Sequence, residues 1–198
     1  CADEADLGDL RERLAGSGIV LLASPNWVDG IWTDRPAPPC GAVAIQPLEF
    51  AGEAAADKRK RLAAELSNAG QTAAVLTLPD SLSWLLNIRG GDIARNPVVQ
   101  CLGLLMADGT LDLFIDAAKL SDAVRAHLGA AVRLHSPDGF SAALGRLTGP
   151  VRVDRATAPL AVSQILEAAG IPVAWGSDPC ILPKALKRRA EVAGMGAA

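Results

Sequence analysis

The sequence predicts an α/β domain: a mixed sheet of about six strands with flanking helices. Three observations predict it. Short apolar runs recur between helical patterns from Thr72 to Trp175. The dipeptide Asp108-Gly109 joins two of these runs, which marks a hairpin. The remaining runs, Ala131–Leu134, Val151–Val153 and Pro172–Trp175, are separated by helical stretches. A ribonuclease-H-like topology is compatible with this pattern, but the pattern alone does not select it.

In chain order, Leu7–Ala15 is helical, with Leu7, Leu10 and Leu14 on one face. Ile19–Leu22 reads as a short strand. From Asn26 to Cys40 the chain carries three prolines and two tryptophans, Trp27 and Trp32. That composition reads as an ordered linker with packed tryptophans. Val43–Ile45 suits a short edge strand. Glu53–Ala69 is a helix ended by Gly70, and its central K-R-K-R run is expected on a solvated face. Thr72–Leu78 is a buried strand. Pro79 opens a helix toward Leu86, with Asp80 or Ser81 as its cap. Val98–Met106 and Leu111–Ile115 form the hairpin. Asp116 caps a turn, and Ser121–Leu128, Ser136–Leu147 and Pro159–Ala169 are helices. Asp178 begins a turn that runs into a last amphipathic helix. The resulting division is a tail over 1–25, a linker over 26–47, the α/β domain over 48–183 and a helix start over 184–198.

Half of the 198 residues are hydrophobic, so a sizeable core is available. The net charge of −3 argues against a nucleic-acid surface. Cys1, Cys40, Cys101 and Cys180 are widely spaced, which fits neither a zinc knuckle nor a disulfide framework and favours a reduced, cytoplasmic compartment. No apolar run reaches bilayer length, so no membrane is expected. Cys1–Asp9, acidic and small, reads as a truncation point.

The stretch that organises the chain is Ser81–Val99, S-L-S-W-L-L-N-I-R-G-G-D-I-A-R-N-P-V-V. An apolar run breaks into a polar loop holding Arg89, Asp92, Arg95 and Asn96. Gly90 and Gly91 are expected to supply positive φ or close approach, and Pro97 stiffens the exit. Two readings stand: a functional loop, or a structural turn closed by Arg–Asp pairing. Elsewhere, His127 and His135 have no metal-ligand spacing and read as surface or capping residues. Asp80, Asp92, Asp116 and Asp154 sit near strand ends. Clustered, they could hold two magnesium ions for a ribonuclease-H-like nuclease, but caps and turns account for them more simply. No complete active site is visible.

Two long motifs then carry a resemblance. Val28–Cys40, V-D-G-I-W-T-D-R-P-A-P-P-C, resembles the segment joining the first two domains of three-domain Xaa-Pro aminopeptidases. Trp84–Val98 is similar to that family's W-L-[FL]-N-[IL]-R-G-x-D-[IV]-x-x-N-P-V signature, and Leu113–Asp116 follows in the family's place. Glu191, Gly194 and Met195 resemble the first helix of its catalytic domain; Gly196 departs from the family, which commonly has a charge there.

The resemblance implies a fragment: a middle domain of the creatinase/prolidase N-terminal type, with a ribonuclease-H-like arrangement and no catalytic or metal-binding residue of its own. It implies two manganese ions in a missing catalytic domain. The implied partners are the enzyme's own first and catalytic domains, short proline-containing peptides and, for the parent, a second copy in a homodimer. Arg89, Asp92, Arg95 and Asn96 are then candidates for the domain interface or the substrate entrance. The rival is a stand-alone protein- or peptide-binding module that uses Trp27 and Trp32.

Overall fold

The computed structural model describes residues 3–22, 24, 26–187 and 192. Helix α1 (Glu4–Leu14) is capped by Asp3, whose carboxylate accepts the Asp6 N–H. Helix α2 (Trp27–Ile31) lies inside the proline-rich stretch. Strand β1 (Ala44–Ile45) and the short helix α3 (Leu48–Ala51) lead into α4 (Ala55–Asn68). Then come β2 (Ala73–Leu76), α5 (Pro79–Leu86), β3 (Ile88–Arg89), β4 (Leu102–Met106) and β5 (Leu111–Phe114). Helix α6 (Asp122–Leu128) precedes β6 (Val132–His135). Helix α7 (Phe140–Leu144), β7 (Val151–Val153), α8 (Leu160–Ala168), β8 (Val173–Trp175) and α9 (Ile181–Ala185) complete the order.

Six strands form one sheet in the order β6-β5-β4-β2-β7-β8. Only β4 runs against its neighbours: it pairs antiparallel with β2 and β5, while β5–β6, β2–β7 and β7–β8 are parallel. The sheet is therefore mixed, as the strand–helix pattern predicts. Alternation along the strands splits the core between two faces. Ala74, Leu76, Leu105, Leu111 and Leu113 pack with Leu62 and Leu66 of α4 and Leu82, Leu85 and Leu86 of α5. Ala73, Val75, Leu104 and Phe114 pack on the other face with Phe140 and Leu144 of α7 and Val162 and Leu166 of α8.

The helix ends follow the glycines. Gly70 takes φ +67 after α4; it donates to the Ser67 carbonyl while Gln71 donates to Leu66. Gly170 repeats the arrangement after α8, with Ile171 donating to Leu166. Both are Schellman closures, which need a left-handed residue that glycine adopts without strain. Ser121 caps α6 through the Val124 N–H, and Asp116 caps its 3₁₀ turn through the Ala118 N–H.

Several expectations are corrected. Ile19–Leu22 forms no strand: it has β-branched residues but no neighbouring strand to bond, and Val20 is 75% exposed. The helix expected over Ser136–Leu147 splits into a 3₁₀ turn, Pro137–Gly139, and the short α7. Neither Asp80 nor Ser81 caps α5, because the helix already starts at Pro79; Asp80 instead pairs with Lys184. The K-R-K-R run is not wholly solvated, since Lys58 and Arg59 are buried. Trp27 and Trp32 are not packed: they are 74% and 45% exposed. Glu191, Gly194 and Met195 lie outside the described residues.

After β8 the chain closes onto the sheet through two buried acids. Asp154 accepts the Asp178 N–H at 2.9 Å, and Asp178 accepts the Cys180 N–H at 2.7 Å. The second carboxylate oxygen of Asp178 is buried, as is the Ser81 hydroxyl. Burial raises the Asp178 carboxyl above its ordinary value, against the opposing Cys180 and Ser81 contacts. A raised folded value means that Asp178 favours the fold at low pH, and that this contribution is lost as pH rises through the raised value. Asp178→Asn keeps the acceptor and removes the charge. It is predicted to raise Tm at pH 7–8 and to leave Tm at pH 4 nearly unchanged. Thermal melts across that range check this; an equal shift at both pH values contradicts it.

Candidate functional site

The Asn87–Asn96 loop begins where α5 ends. Asn87 takes a left-handed conformation, φ 52 and ψ 51, which asparagine tolerates better than most residues. Its side-chain oxygen accepts from Lys58 Nζ at 2.7 Å, and its side-chain amide donates to the Glu53 carbonyl at 2.8 Å. Lys58 Nζ also donates to the Trp84 carbonyl at 2.8 Å and sits 4.3 Å from the Trp84 ring centroid. The buried ammonium thus joins α4 to the last turn of α5, where the carbonyls carry partial negative charge. Sequence reasoning missed Lys58. Helical periodicity did hold a signal: Lys58 precedes the buried Leu62 by one turn and shares its face.

From Asn87 the chain runs into β3, which pairs antiparallel with β1, Ile88 opposite Ile45 and Arg89 opposite Ala44. This pairing also escapes sequence reading, because two-residue strands leave no periodic trace. Arg89 is half-buried, and its guanidinium donates to the Ile88 carbonyl at 3.0 Å.

Gly90 and Gly91 do not take positive φ; in this loop Arg95 does, at φ 64. Gly90 is required by close approach instead. A Cβ there would lie 2.8 Å from Val99 Cγ2 and 3.0 Å from the Val98 carbonyl oxygen. At Gly91 a Cβ would meet nothing within 4 Å.

Asp92 is the loop's anchor. Its side chain is fully buried and bonds Lys119 Nζ at 2.7 Å, the Gln100 N–H at 2.7 Å and the Gly41 N–H at 3.0 Å. Burial pushes its carboxyl up, but the Lys119 ammonium and the two N–H donors outweigh this and hold it below the usual carboxylate range. The Arg–Asp closure considered from sequence is therefore replaced by a Lys–Asp pair, with the lysine arriving from the turn after β5. Arg95 and Asn96 are exposed at the tip, where Asn96 N–H donates to the Ile93 carbonyl. The structure brings Asp92 into the core and leaves Arg95 and Asn96 on the surface, with Arg89 between.

Gln100 and Lys119 also line a cleft of about 860 Å³. The cleft lies outside the carboxyl ends of the parallel strands β2, β5 and β6, lined there by Thr77, Ile115, Asp116 and His135. Crevices of this kind at sheet edges are common ligand sites. Cys101, buried beside it, has its thiol pushed up to about 12 by burial, so it is an inert core residue.

The four acids near strand ends are separately engaged. Asp80 pairs with Lys184 and Asp92 with Lys119; Asp116 caps Ala118, and Asp154 accepts from Ala156 and Asp178. His127 Nε2 lies 2.9 Å from the Leu86 carbonyl, and His135 Nε2 lies 2.7 Å from Asp112. Among the described residues no three His, Cys, Asp or Glu side chains lie together as a metal-ligand set. The donor set among the described residues does not fit a dinuclear centre.

The anchor yields two predictions. Asp92→Asn leaves Lys119 buried without its counter-charge and is expected to cost about 3–5 kcal/mol in urea unfolding, with Lys119→Met on top restoring part of it. Because the Asp92 value is lowered, its contribution is full above the ordinary carboxylate pKa and lost as pH falls through the lowered value. Gly90→Ala is expected to cost about 1–3 kcal/mol by overpacking against Val98 and Val99, while Gly91→Ala stays within about 0.5 kcal/mol.

Comparison with known proteins places this geometry. The family profile described as Creatinase/Prolidase N-terminal domain matches residues 34–191. The chain is 33% identical over 197 residues to a probable Xaa-Pro aminopeptidase P of Aspergillus niger, covering 94% of this chain and 32% of that protein. It is 38% identical over 128 residues to aminopeptidase P1 of Lotus japonicus, covering 63% of this chain and 19% of the relative. The X-prolyl aminopeptidase of Caenorhabditis elegans, described as a cytosolic enzyme with a di-nuclear active site, superposes with a TM-score of 0.86 at 27% identity. That match covers 98% of this chain and 33% of the enzyme. The chain thus spans a third or less of the length of these relatives. On the profile match and the near-complete superposition, this chain belongs to the creatinase/prolidase N-terminal domain family.

Proposed function

We propose that this chain is the non-catalytic middle domain of a cytoplasmic, metal-dependent Xaa-Pro aminopeptidase. The parent hydrolyses the bond between an N-terminal residue and a following proline, using two manganese ions held in a separate catalytic domain. The observation that carries this reading is the superposition: 98% of the chain follows one third of an X-prolyl aminopeptidase. The strand order supports a ribonuclease-H-like motif within the domain, with β6 as an added edge strand. In this reading residues 48–183 are the domain body, 1–25 the tail of a preceding domain, 26–47 the linker, and 184–198 the start of the helix toward the catalytic domain.

The domain's part is to shape access to the active site and to support assembly of the parent as a homodimer. The loop that carries Arg89, Asp92, Arg95 and Asn96 faces the catalytic domain. Asp92 and its bonds hold the loop, Arg89 lies at the domain boundary, and Arg95 and Asn96 lie near the peptide entrance. Short proline-containing peptides are the substrates.

A second reading has its own observation. Trp27, Val28 and Ile31 are each at least half exposed, and such apolar surface marks an interaction site. A stand-alone peptide-binding module would keep the indoles of Trp27 and Trp32 open, whereas the middle-domain reading covers them with the rest of the parent. Iodide quenching of tryptophan fluorescence separates the two: shielding in the full-length parent supports the first reading, equal quenching in parent and isolated chain the second.

The activity itself is tested with the 198-residue chain and the full-length parent, each given manganese and an Xaa-Pro peptide. The parent is expected to release the N-terminal residue and the isolated chain to release none. Turnover by the isolated chain would overturn the proposal.

A further inference from the structure

Lys58 is 1% exposed, within a helix whose Asp57 and Lys60 neighbours face solvent. Burying an ammonium costs several kcal/mol unless its protons are bonded, and a methionine of similar length fills such a space without that cost. The ammonium therefore adds direction rather than packing. Two of its protons are directed to the Trp84 carbonyl and the Asn87 side-chain oxygen. The Asn87 amide is then oriented at both ends, oxygen toward Lys58 and nitrogen toward the Glu53 carbonyl.

Asn87 is also the left-handed turn from which β3 departs, and its own carbonyl accepts the Gln46 N–H at 2.8 Å beside the β1–β3 pair. Arg89 stands two residues on. Its backbone direction is set by a residue that Lys58 holds.

We propose that Lys58 is a positioning residue of the parent enzyme: it fixes the end of α5 and Asn87 so that Arg89 is held at the domain boundary beside the peptide entrance. The proposal rests on the reading of the loop as facing the catalytic domain. It assigns Lys58 no contact with substrate. Its effect passes through Asn87 and the β3 backbone, so it must appear in substrate binding and must depend on Arg89.

The test uses the full-length enzyme with an Xaa-Pro peptide, well below the Tm of every variant, with circular dichroism confirming the folded fraction. Lys58→Met, Arg89→Ala and the double variant are compared for KM and kcat. Arg89→Ala is expected to raise KM roughly tenfold, the size of one lost charged contact. Lys58→Met is expected to raise KM severalfold with kcat within about twofold, and the double variant to match Arg89→Ala alone, because both act on one contact.

Should Lys58→Met fail to fold, Asn87→Gly serves instead. It keeps the left-handed backbone and removes the side chain that accepts from Lys58 and donates to the Glu53 carbonyl, and it must reproduce the KM rise. If Arg89→Ala raises KM while Lys58→Met, or its substitute, does not, Lys58 only packs and the proposal fails. Additive effects in the double variant also overturn it. If neither single variant changes KM, the loop is not in the substrate path and the underlying reading falls as well.

Discussion

Two buried lysines set the shape of the conspicuous loop in this molecule. Lys58 closes the end of α5 onto α4, and Lys119 closes the loop's midpoint onto the turn after β5. Each ammonium is removed from water, which is tolerable only because its protons meet a carbonyl, an amide oxygen or a carboxylate. Those partners lie within Trp84–Gln100. The cost of burial and the geometry of the loop are therefore the same fact: the lysines are stable only where the loop takes this path. The six-stranded sheet supplies the frame, since α4, α5 and the β4–β5 hairpin are fixed by apolar packing before any polar bond is counted.

The arrangement also assigns different tasks to neighbouring charges. Asp92 is buried and fully bonded, and so it holds the loop. Arg95 and Asn96 are exposed at the tip and free to meet another surface. Gly90 lets the backbone pass close to Val98 and Val99, which keeps the two strands of the loop together. A rigid base with polar groups at its tip suits a loop that presents side chains across a domain boundary.

Much of the fold was legible in the sequence. Alternating short strands, the Asp108-Gly109 hairpin and the glycine stops after α4 and α8 are local signals, and local structure follows them. The less legible parts depend on tertiary partners. Ile19–Leu22 has strand composition, but strand formation needs an adjacent edge, which composition does not report. Lys58 reads as solvated because charged residues on helices usually are; only the approach of Trp84 and Asn87 reverses that. The linker tryptophans were expected to be packed, yet they are exposed in this chain. In the loop, the sequence marks Asp92 and the glycines as special, but not that Lys119, 27 residues onward, is the partner. The family signature marks this stretch without disclosing how it is held.

The central claim is that the Asn87–Asn96 loop is a preformed, rigid platform rather than a mobile connection. Amide hydrogen exchange of the 198-residue chain near pH 7, read residue by residue, tests it most directly. The account predicts that the Gly41, Val99 and Gln100 amides, which donate to Asp92, Ser83 and Asp92, exchange as slowly as the amides of β4 and β5. Exchange of those three amides at the rate of an unstructured peptide, with β4 and β5 still protected, would contradict it.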